Sequence, residues 1–159
     1  MRRALLALLG GLGLAAWMLA CTSPQSGHAD VWPDPSHSAS DIVRLQLEAL
    51  RQASDHSIGV ALRFASPGNR AVIGDATQFR GMLESRLYRP LLGHRAVVLG
   101  AEEPVDQHVA ITVDVTAENG RQVRFVYLLR RQWSERCDAC WLIDAVSPFD
   151  ELLDPGLQV

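Results

Sequence analysis

Residues 108–128 read HVAITVDVTAENGRQVRFVYL, which is the strongest structural signal in the chain. Every second residue from Val109 to Val115 is apolar, and this two-residue period is typical of a β-strand. Asn119-Gly120 follows, and this dipeptide is the strongest short signal for a β-hairpin. The stretch therefore predicts two antiparallel strands joined by a tight turn.

The turn length fixes which residues of the hairpin face each other. A two-residue turn would pair Asp114 with Phe125 and Thr112 with Tyr127. Asp114, His108, Thr112 and Tyr127 would then share one face of the neighbouring strands. Because the two faces are nearly equally apolar, the sequence leaves open which of them is buried.

Three helical stretches are predicted before the hairpin. The first follows Ser40 as its N-cap and repeats apolar residues at helical spacing. The second, residues 58–65, is short and stops at Ser66-Pro67-Gly68, where Ser66 can cap a following turn. The third begins after Asp75 and ends before Pro90.

Further strands are predicted on both sides of the hairpin, around Val97 and Leu99 and over residues 141–146. Helices followed by a strand meander indicate an α+β fold. We expect three N-terminal helices packed on a curved antiparallel sheet of about four strands. This single domain would occupy residues 40–149, and residues 150–159 would form a C-terminal tail.

The N-terminal end has the pattern of a secretory signal peptide. Arg2 and Arg3 precede an apolar run over residues 4–20. The run ends at Met18-Leu19-Ala20-Cys21, which resembles the bacterial lipobox, in which the cysteine receives acyl chains such as palmitate and becomes the new N-terminus. Residues 1–20 would then be removed and Cys21 would anchor the protein to a membrane. In the alternative, ordinary signal cleavage, Cys21 carries no lipid.

The residue after the cysteine indicates where in the cell envelope the protein is located. It is Thr22 and not aspartate, which resembles the signal for the periplasmic side of an outer membrane in a cell with two membranes. Residues 21–39 would comprise the lipidated cysteine and a flexible stalk, because they are mostly small and polar. Trp32 is the exception, since it could rest on the bilayer interface, dock on the domain or remain loose.

Charge and composition exclude several classes of function. The chain has 15 basic and 18 acidic residues, a net charge of −3, and an acidic protein repels phosphate backbones, so no nucleic-acid partner is expected. Every basic residue is arginine, which excludes a lysine Schiff base. The motifs of serine hydrolases, P-loops and dinucleotide-binding domains are missing, and we expect no cofactor.

Cys137-Asp138-Ala139-Cys140 is the sharpest local motif. In an oxidising envelope it predicts a structural disulfide between Cys137 and Cys140. A redox pair is the alternative, but the motif lies between two predicted strands and not at a helix start. Since no second cysteine pair or histidine pair completes four ligands, no metal site is expected.

Three segments resemble a known family. They are Gln46-Leu47-Glu48-Ala49-Leu50, Phe64-Ala65-Ser66-Pro67 and the segment from Tyr88 to His94. The chain resembles, over about residues 40–148, the uncharacterised family known as domain of unknown function 4864, which is similar to the nuclear-transport-factor-2-like superfamily of cone-shaped domains. The resemblance implies a cleft between sheet and helices, in which enzyme members of the superfamily use an Asp, His or Tyr for proton transfer.

Different classes of function stay open. The leading hypothesis is a non-enzymatic envelope lipoprotein that presents a binding or assembly domain to a protein partner or a small apolar ligand. The alternative is an enzyme in which desolvation raises the pKa of Asp114 so that it acts as a base, assisted by His108 or Tyr127. A third possibility is a secreted homodimer joined through the sheet.

Overall fold

The structure is a computed structural model, and it describes residues 31–134 and 136–149. Within them, four α-helices precede a four-stranded antiparallel sheet, which confirms the α+β class. The predicted signal peptide, the lipidation site Cys21 and the tail 150–159 lie outside the described residues. Among the helices of the described part, none has the length and apolar character needed to span a membrane.

Helix α1 spans Ala39–Gln52 and starts earlier than predicted, because Ser38 and not Ser40 caps it. The Ser38 hydroxyl accepts the Asp41 N–H at 3.1 Å, and the Asp41 carboxylate accepts the Ser38 N–H at 3.0 Å. This reciprocal pair satisfies two N–H groups at the start of the helix. Ser40 instead donates its N–H and its hydroxyl to Glu102, at 2.9 and 2.7 Å.

The other helices are shorter: α2 spans Asp55–Leu62, α3 spans Pro67–Ile73 and α4 spans Ala76–Glu84. A 3-10 turn follows at Arg89–Leu91. The sequence predicted three helices and treated α3 as a turn. Helix α3 forms because Ser66 accepts the Asn69 N–H at 3.1 Å, while Pro67 fits the first turn, where its missing N–H is not needed.

The strands are β1 (Ala96–Val105), β2 (His108–Thr116), β3 (Gln122–Ser134) and β4 (Cys137–Pro148). They pair with their sequence neighbours in the order β1-β2-β3-β4, which confirms the predicted meander. The segment after α2 lies along the outer edge of β4. There Ser66 N–H donates to Ile143 O, and Ile143 N–H donates to Phe64 O, both at 2.9 Å.

The loop of the central hairpin has three residues, 118–120, and not the two that were predicted. Gly120 N–H donates to Ala117 O at 2.9 Å, and Ala117 N–H donates to Arg121 O at 2.8 Å. Gly120 has a φ of 85°, in the left-handed region that glycine adopts without steric cost. Asn-Gly therefore completes a longer hairpin loop than the dipeptide alone indicates.

The extra loop residue changes the register of the whole hairpin. Asp114 pairs with Arg124 and not with Phe125, and Thr112 pairs with Val126 and not with Tyr127. A shift of one residue exchanges the two faces of a strand. Tyr127 consequently lies on the opposite face from Asp114.

The structure also settles which face of the hairpin is buried. Six alternating side chains on the face toward the helices are 0% exposed: Ile111, Val113, Val115, Phe125, Tyr127 and Leu129. They form one core with apolar residues of the helices, including Ile42, Leu47 and Phe64. Asp114 and Thr112 lie on the other side of β2, which we refer to as the outer face.

The last part of the predicted stalk lies against the domain. Val31 packs on the hydrophobic core, and Pro33 is buried. Trp32 contacts two arginine side chains, so it docks on the domain. A flexible stalk over residues 22–30 stays a prediction, because these residues lie outside the described part.

Candidate functional site

A small apolar cavity lies between the helices and the last strand. Its volume is about 180 Å³, and α1, α3, α4 and β4 all contribute to its wall. The apolar residues of the wall are Leu50, Val72, Ile73, Phe79, Met82, Leu83, Leu91, Ala145 and Val146. Val72 is 86% exposed, so it marks the side on which the cavity meets solvent.

Three polar side chains also border the cavity, and each donates a hydrogen bond to a backbone carbonyl. The bonds are Gln46 Nε2 to Ala61 O at 3.2 Å, Asn69 Nδ2 to Ile143 O at 3.1 Å and Tyr88 Oη to Val146 O at 3.1 Å. An apolar cavity of about 150 Å³ stays dry and binds benzene. The cavity here has a similar size and can accept a compact apolar group of about one ring.

Asp114, the predicted proton acceptor, forms an ion pair on the outer face. Arg124 donates to its two carboxylate oxygens, from Nε at 2.6 Å and from Nη2 at 2.8 Å. The Asp114 side chain is 49% exposed. The hydrogen bonds from Arg124 lower the pKa of Asp114, whereas a base tuned for neutral pH needs a raised pKa. The prediction of a desolvated carboxylate is therefore wrong.

Tyr127 is buried in the core and not beside Asp114. Its side chain is 0% exposed, and its hydroxyl has no hydrogen-bond partner among the described residues. Burial raises the pKa of Tyr127, since the phenolate would be desolvated. Thr112 and His108 do lie on the outer face with Asp114, so the structure brings three of the four predicted residues to one face of the sheet.

His108 contacts a different carboxylate, that of Asp144. The distance from His108 Nε2 to Asp144 Oδ2 is 3.0 Å, Gln132 Nε2 donates to Oδ1 at 2.9 Å, and Arg130 Nε lies 3.3 Å from Oδ2. Burial tends to raise the pKa of Asp144, but hydrogen bonds from Ser66 and Gln132 and the charge of Arg130 together lower it. An ionised Asp144 thus joins three strands and the start of α3.

The sequence analysis missed Asp144 because its position depends on an irregularity in β4. Leu128 pairs with Ala145 and Leu129 pairs with Ile143, which leaves Asp144 as an extra residue in a β-bulge. Bulges change the direction of a side chain relative to the regular pleat. The available signal was an acidic residue inside the otherwise apolar segment 141–146.

Cys137 and Cys140 lie at the start of β4 within disulfide-bonding distance, with their Cα atoms 5.9 Å apart. Cys137 is 8% exposed and Cys140 is 0% exposed. Ala139, between them, has a φ of 56°, in the left-handed region. In the described part of the chain, no group of three or more His, Cys, Asp or Glu residues is arranged to hold a metal ion.

The family model described as "Domain of unknown function (DUF4864)" matches residues 34–151. The chain belongs to this family. The match extends a few residues beyond both ends of the segment that carried the sequence resemblance. No curated protein and no solved structure was found to match this DUF4864 chain.

Proposed function

We propose that this protein is an envelope lipoprotein, anchored through Cys21, whose domain binds a small apolar ligand in the cavity between α1, α3, α4 and β4. The cavity of about 180 Å³ carries this proposal. Its walls are apolar, and the three polar side chains at its border already donate to backbone carbonyls. Ligand pockets are typically apolar with few polar groups, although most are larger than this one. The ligand is consequently a compact group with little polarity.

The resemblance to the nuclear-transport-factor-2-like superfamily supports the same site. Cone-shaped domains of that superfamily leave a cleft between their helices and their sheet. The cavity of this chain has walls from three helices and from β4. A cone-shaped arrangement would thus place the ligand where members of that superfamily have their cleft.

The N-terminal sequence supports the proposed location in the cell envelope. Charged residues, an apolar run and Met18-Leu19-Ala20-Cys21 follow in the order expected for a lipoprotein leader. Two or more acyl chains are needed for stable membrane attachment, and lipoprotein processing supplies them. Thr22 after the cysteine favours the periplasmic side of an outer membrane in a cell with two membranes.

Proton transfer has less support than binding. The enzyme hypothesis needs a carboxylate with a raised pKa inside a cleft, and Asp114 instead pairs with Arg124 on the outer face. Homodimer formation through the sheet stays a prediction.

Benzene is a suitable probe for the cavity. At ten times its Kd, a ligand that binds only the folded state adds about 1.4 kcal/mol to the free energy of unfolding, which raises Tm by a few degrees. We expect this shift for the full chain purified in detergent. Ala145→Leu should abolish it, because the larger side chain occupies the cavity.

Ala71→Leu is the matched control, since Ala71 is an exposed residue of α3 that does not line the cavity. Ala71→Leu should retain the rise in Tm that benzene produces in the unsubstituted protein. An absent shift in the unsubstituted protein, or a full shift in Ala145→Leu, would reject the cavity as a ligand site and favour a protein partner instead.

The anchor is tested separately by Cys21→Ser with membrane fractionation and mass measurement of the N-terminal peptide. We expect the unsubstituted protein to carry acyl chains on residue 21 and to lose membrane association on substitution. Unchanged association of Cys21→Ser would contradict lipidation as the cause.

A further inference from the structure

A second hollow, of about 470 Å³, lies at the end of the sheet where β3 turns into β4. We refer to it as the arginine hollow. Its charged and aromatic residues are Trp32, Arg63, Arg70, Trp133 and Arg136. Trp133 is 66% exposed, which is high for a tryptophan and places a large apolar surface in solvent.

Trp32 holds two of the arginines in place. The Cζ atoms of Arg63 and Arg136 lie 4.2 and 4.1 Å from the centre of a Trp32 ring. These distances are typical of cation–π contacts. Arg63 Nη1 also donates to Val31 O at 3.2 Å. The two guanidinium groups are thus positioned before any ligand arrives.

Among the residues that the structure describes, the three arginines of the arginine hollow have no carboxylate partner. Elsewhere arginines form ion pairs, for example Arg80 with Asp55 at 2.7 Å. Among the described residues, no carboxylate lies within ion-pair distance of Arg63, Arg70 or Arg136. Like charges gathered in one place repel each other, and a bound anion relieves this repulsion. Such a cluster in a protein of net charge −3 therefore indicates an anionic ligand.

The arginine hollow lies where the chain arrives from its proposed anchor. Val31 touches Arg63 and is ten residues from Cys21, which limits their separation to about 35 Å. Another group of arginines, Arg86, Arg89 and Arg121, lies beside the β2–β3 loop. That loop is at the other end of the 13-residue strand β3, roughly 40 Å away.

We propose that the arginine hollow binds the phosphate of anionic phospholipid head groups and holds this end of the domain on the membrane surface. The planar guanidinium group matches a phosphate through paired hydrogen bonds. Tryptophan is enriched at the membrane–water interface, which suits the exposed Trp133. The inference rests on the proposed lipid anchor, which keeps the arginine hollow within reach of the bilayer.

Tryptophan quenching tests the inference on the full chain, purified from the cell envelope and reconstituted into vesicles. One set contains equal parts of brominated and unlabelled phosphatidylcholine, and the other contains equal parts of brominated phosphatidylcholine and unlabelled phosphatidylglycerol, so that both sets hold the same amount of quencher. We expect roughly twofold or more stronger quenching in the anionic vesicles. The variant R63Q/R70Q/R136Q should show no difference between the two sets.

R86Q/R89Q/R121Q is the matched control, because it removes the same charge at the far end of β3. It should retain the anionic preference. Because Arg63 and Arg136 also hold Trp32, Arg70→Gln is tested alone, and it should weaken the preference while leaving the thermal midpoint unchanged. Equal quenching in both vesicle types, or equal loss in the control, would overturn the inference and favour an acidic protein partner.

Mass measurement of the same preparation shows whether Cys21 carries acyl chains, independently of the quenching result. A protein without acyl chains that still floats with anionic vesicles, and not with neutral ones, would refute the anchor and support the arginine hollow. A lipidated protein without the anionic preference would refute the arginine hollow alone.

Discussion

Tyr127→Phe should stabilise the protein. The Tyr127 side chain is 0% exposed, and its hydroxyl has no hydrogen-bond partner among the described residues. A buried hydroxyl without a partner costs about 1–3 kcal/mol. Removing it leaves a space of about 10 Å³, which at about 24 cal/mol per Å³ costs only about 0.2 kcal/mol. The net expectation is a gain of about 1 kcal/mol or more in the free energy of unfolding.

Tyr88→Phe is the matched control for this substitution. Tyr88 is partly buried, and its hydroxyl donates to Val146 O at 3.1 Å. Removing a satisfied hydrogen bond lowers stability by about 0.5–1.5 kcal/mol. The same chemical change should thus have opposite signs at the two tyrosines.

Urea denaturation of the two variants and the parent chain measures both effects. With a slope of about 1–3 kcal/mol per molar urea, a gain of 1 kcal/mol moves the midpoint up by roughly 0.3–1 M. A lower midpoint for Tyr127→Phe would mean that the folded protein hydrogen-bonds this hydroxyl, and the reasoning would fail.

Further substitutions test two local contacts. Ser38→Ala should lower the free energy of unfolding by about 1 kcal/mol, because it removes the N-cap of α1, whereas Ser40→Ala should cost less; thermal denaturation giving the reverse order would contradict the observed cap. The pKa of Asp144 is lowered in the folded state, so its contribution to stability is present above the ordinary value of 3.8 and is lost as the pH falls through the lower folded value. Asp144→Asn should therefore lower stability at neutral pH and reduce its fall in acid, and urea midpoints that decline with acid as steeply as in the parent chain would count against this.

The sequence predicted the elements that depend on local patterns. The alternation from Val109 to Val115 identified β2, and the apolar spacing after Ser40 identified α1. The predicted N-cap of α1 was wrong, because a second residue decides which of two nearby serines caps the helix. Ser38 and Ser40 are both good caps, but only Ser38 has an aspartate three residues later to complete the capping box.

The hairpin register was also predicted wrongly for want of one local detail, the length of the loop, and this error had a larger consequence. Asn119-Gly120 correctly marked the turn, but Gly120 closes a three-residue loop through the Ala117–Arg121 pair. One added residue moved Tyr127 to the core and placed Arg124 opposite Asp114. The predicted site therefore changed character although both strands were identified correctly.

The cavity could not be predicted from local sequence patterns, for a different reason. Its wall joins residues as far apart as Gln46 and Val146, and no local pattern specifies how four elements leave a space between them. Asp144 similarly depends on a bulge that exists only when β3 and β4 pair. The pattern of apolar and polar residues along the chain predicts helices, strands and their buried faces. The cavity and the surroundings of Asp144 instead depend on how these elements pack against each other.

Helix α3 connects the two proposed sites, which gives a physical role to the Phe64-Ala65-Ser66-Pro67 segment. Pro67 and Arg70 border the arginine hollow, while Asn69 and Ile73 border the cavity. Side chains three or four residues apart lie on the same face of a helix, so each site takes one face of this seven-residue helix. Ser66 fixes both faces at once, because it caps α3 and its N–H donates to Ile143 of β4. The serine is 0% exposed and has no direct access to either site, so its place in the motif is explained by the orientation of α3 and not by contact with a ligand.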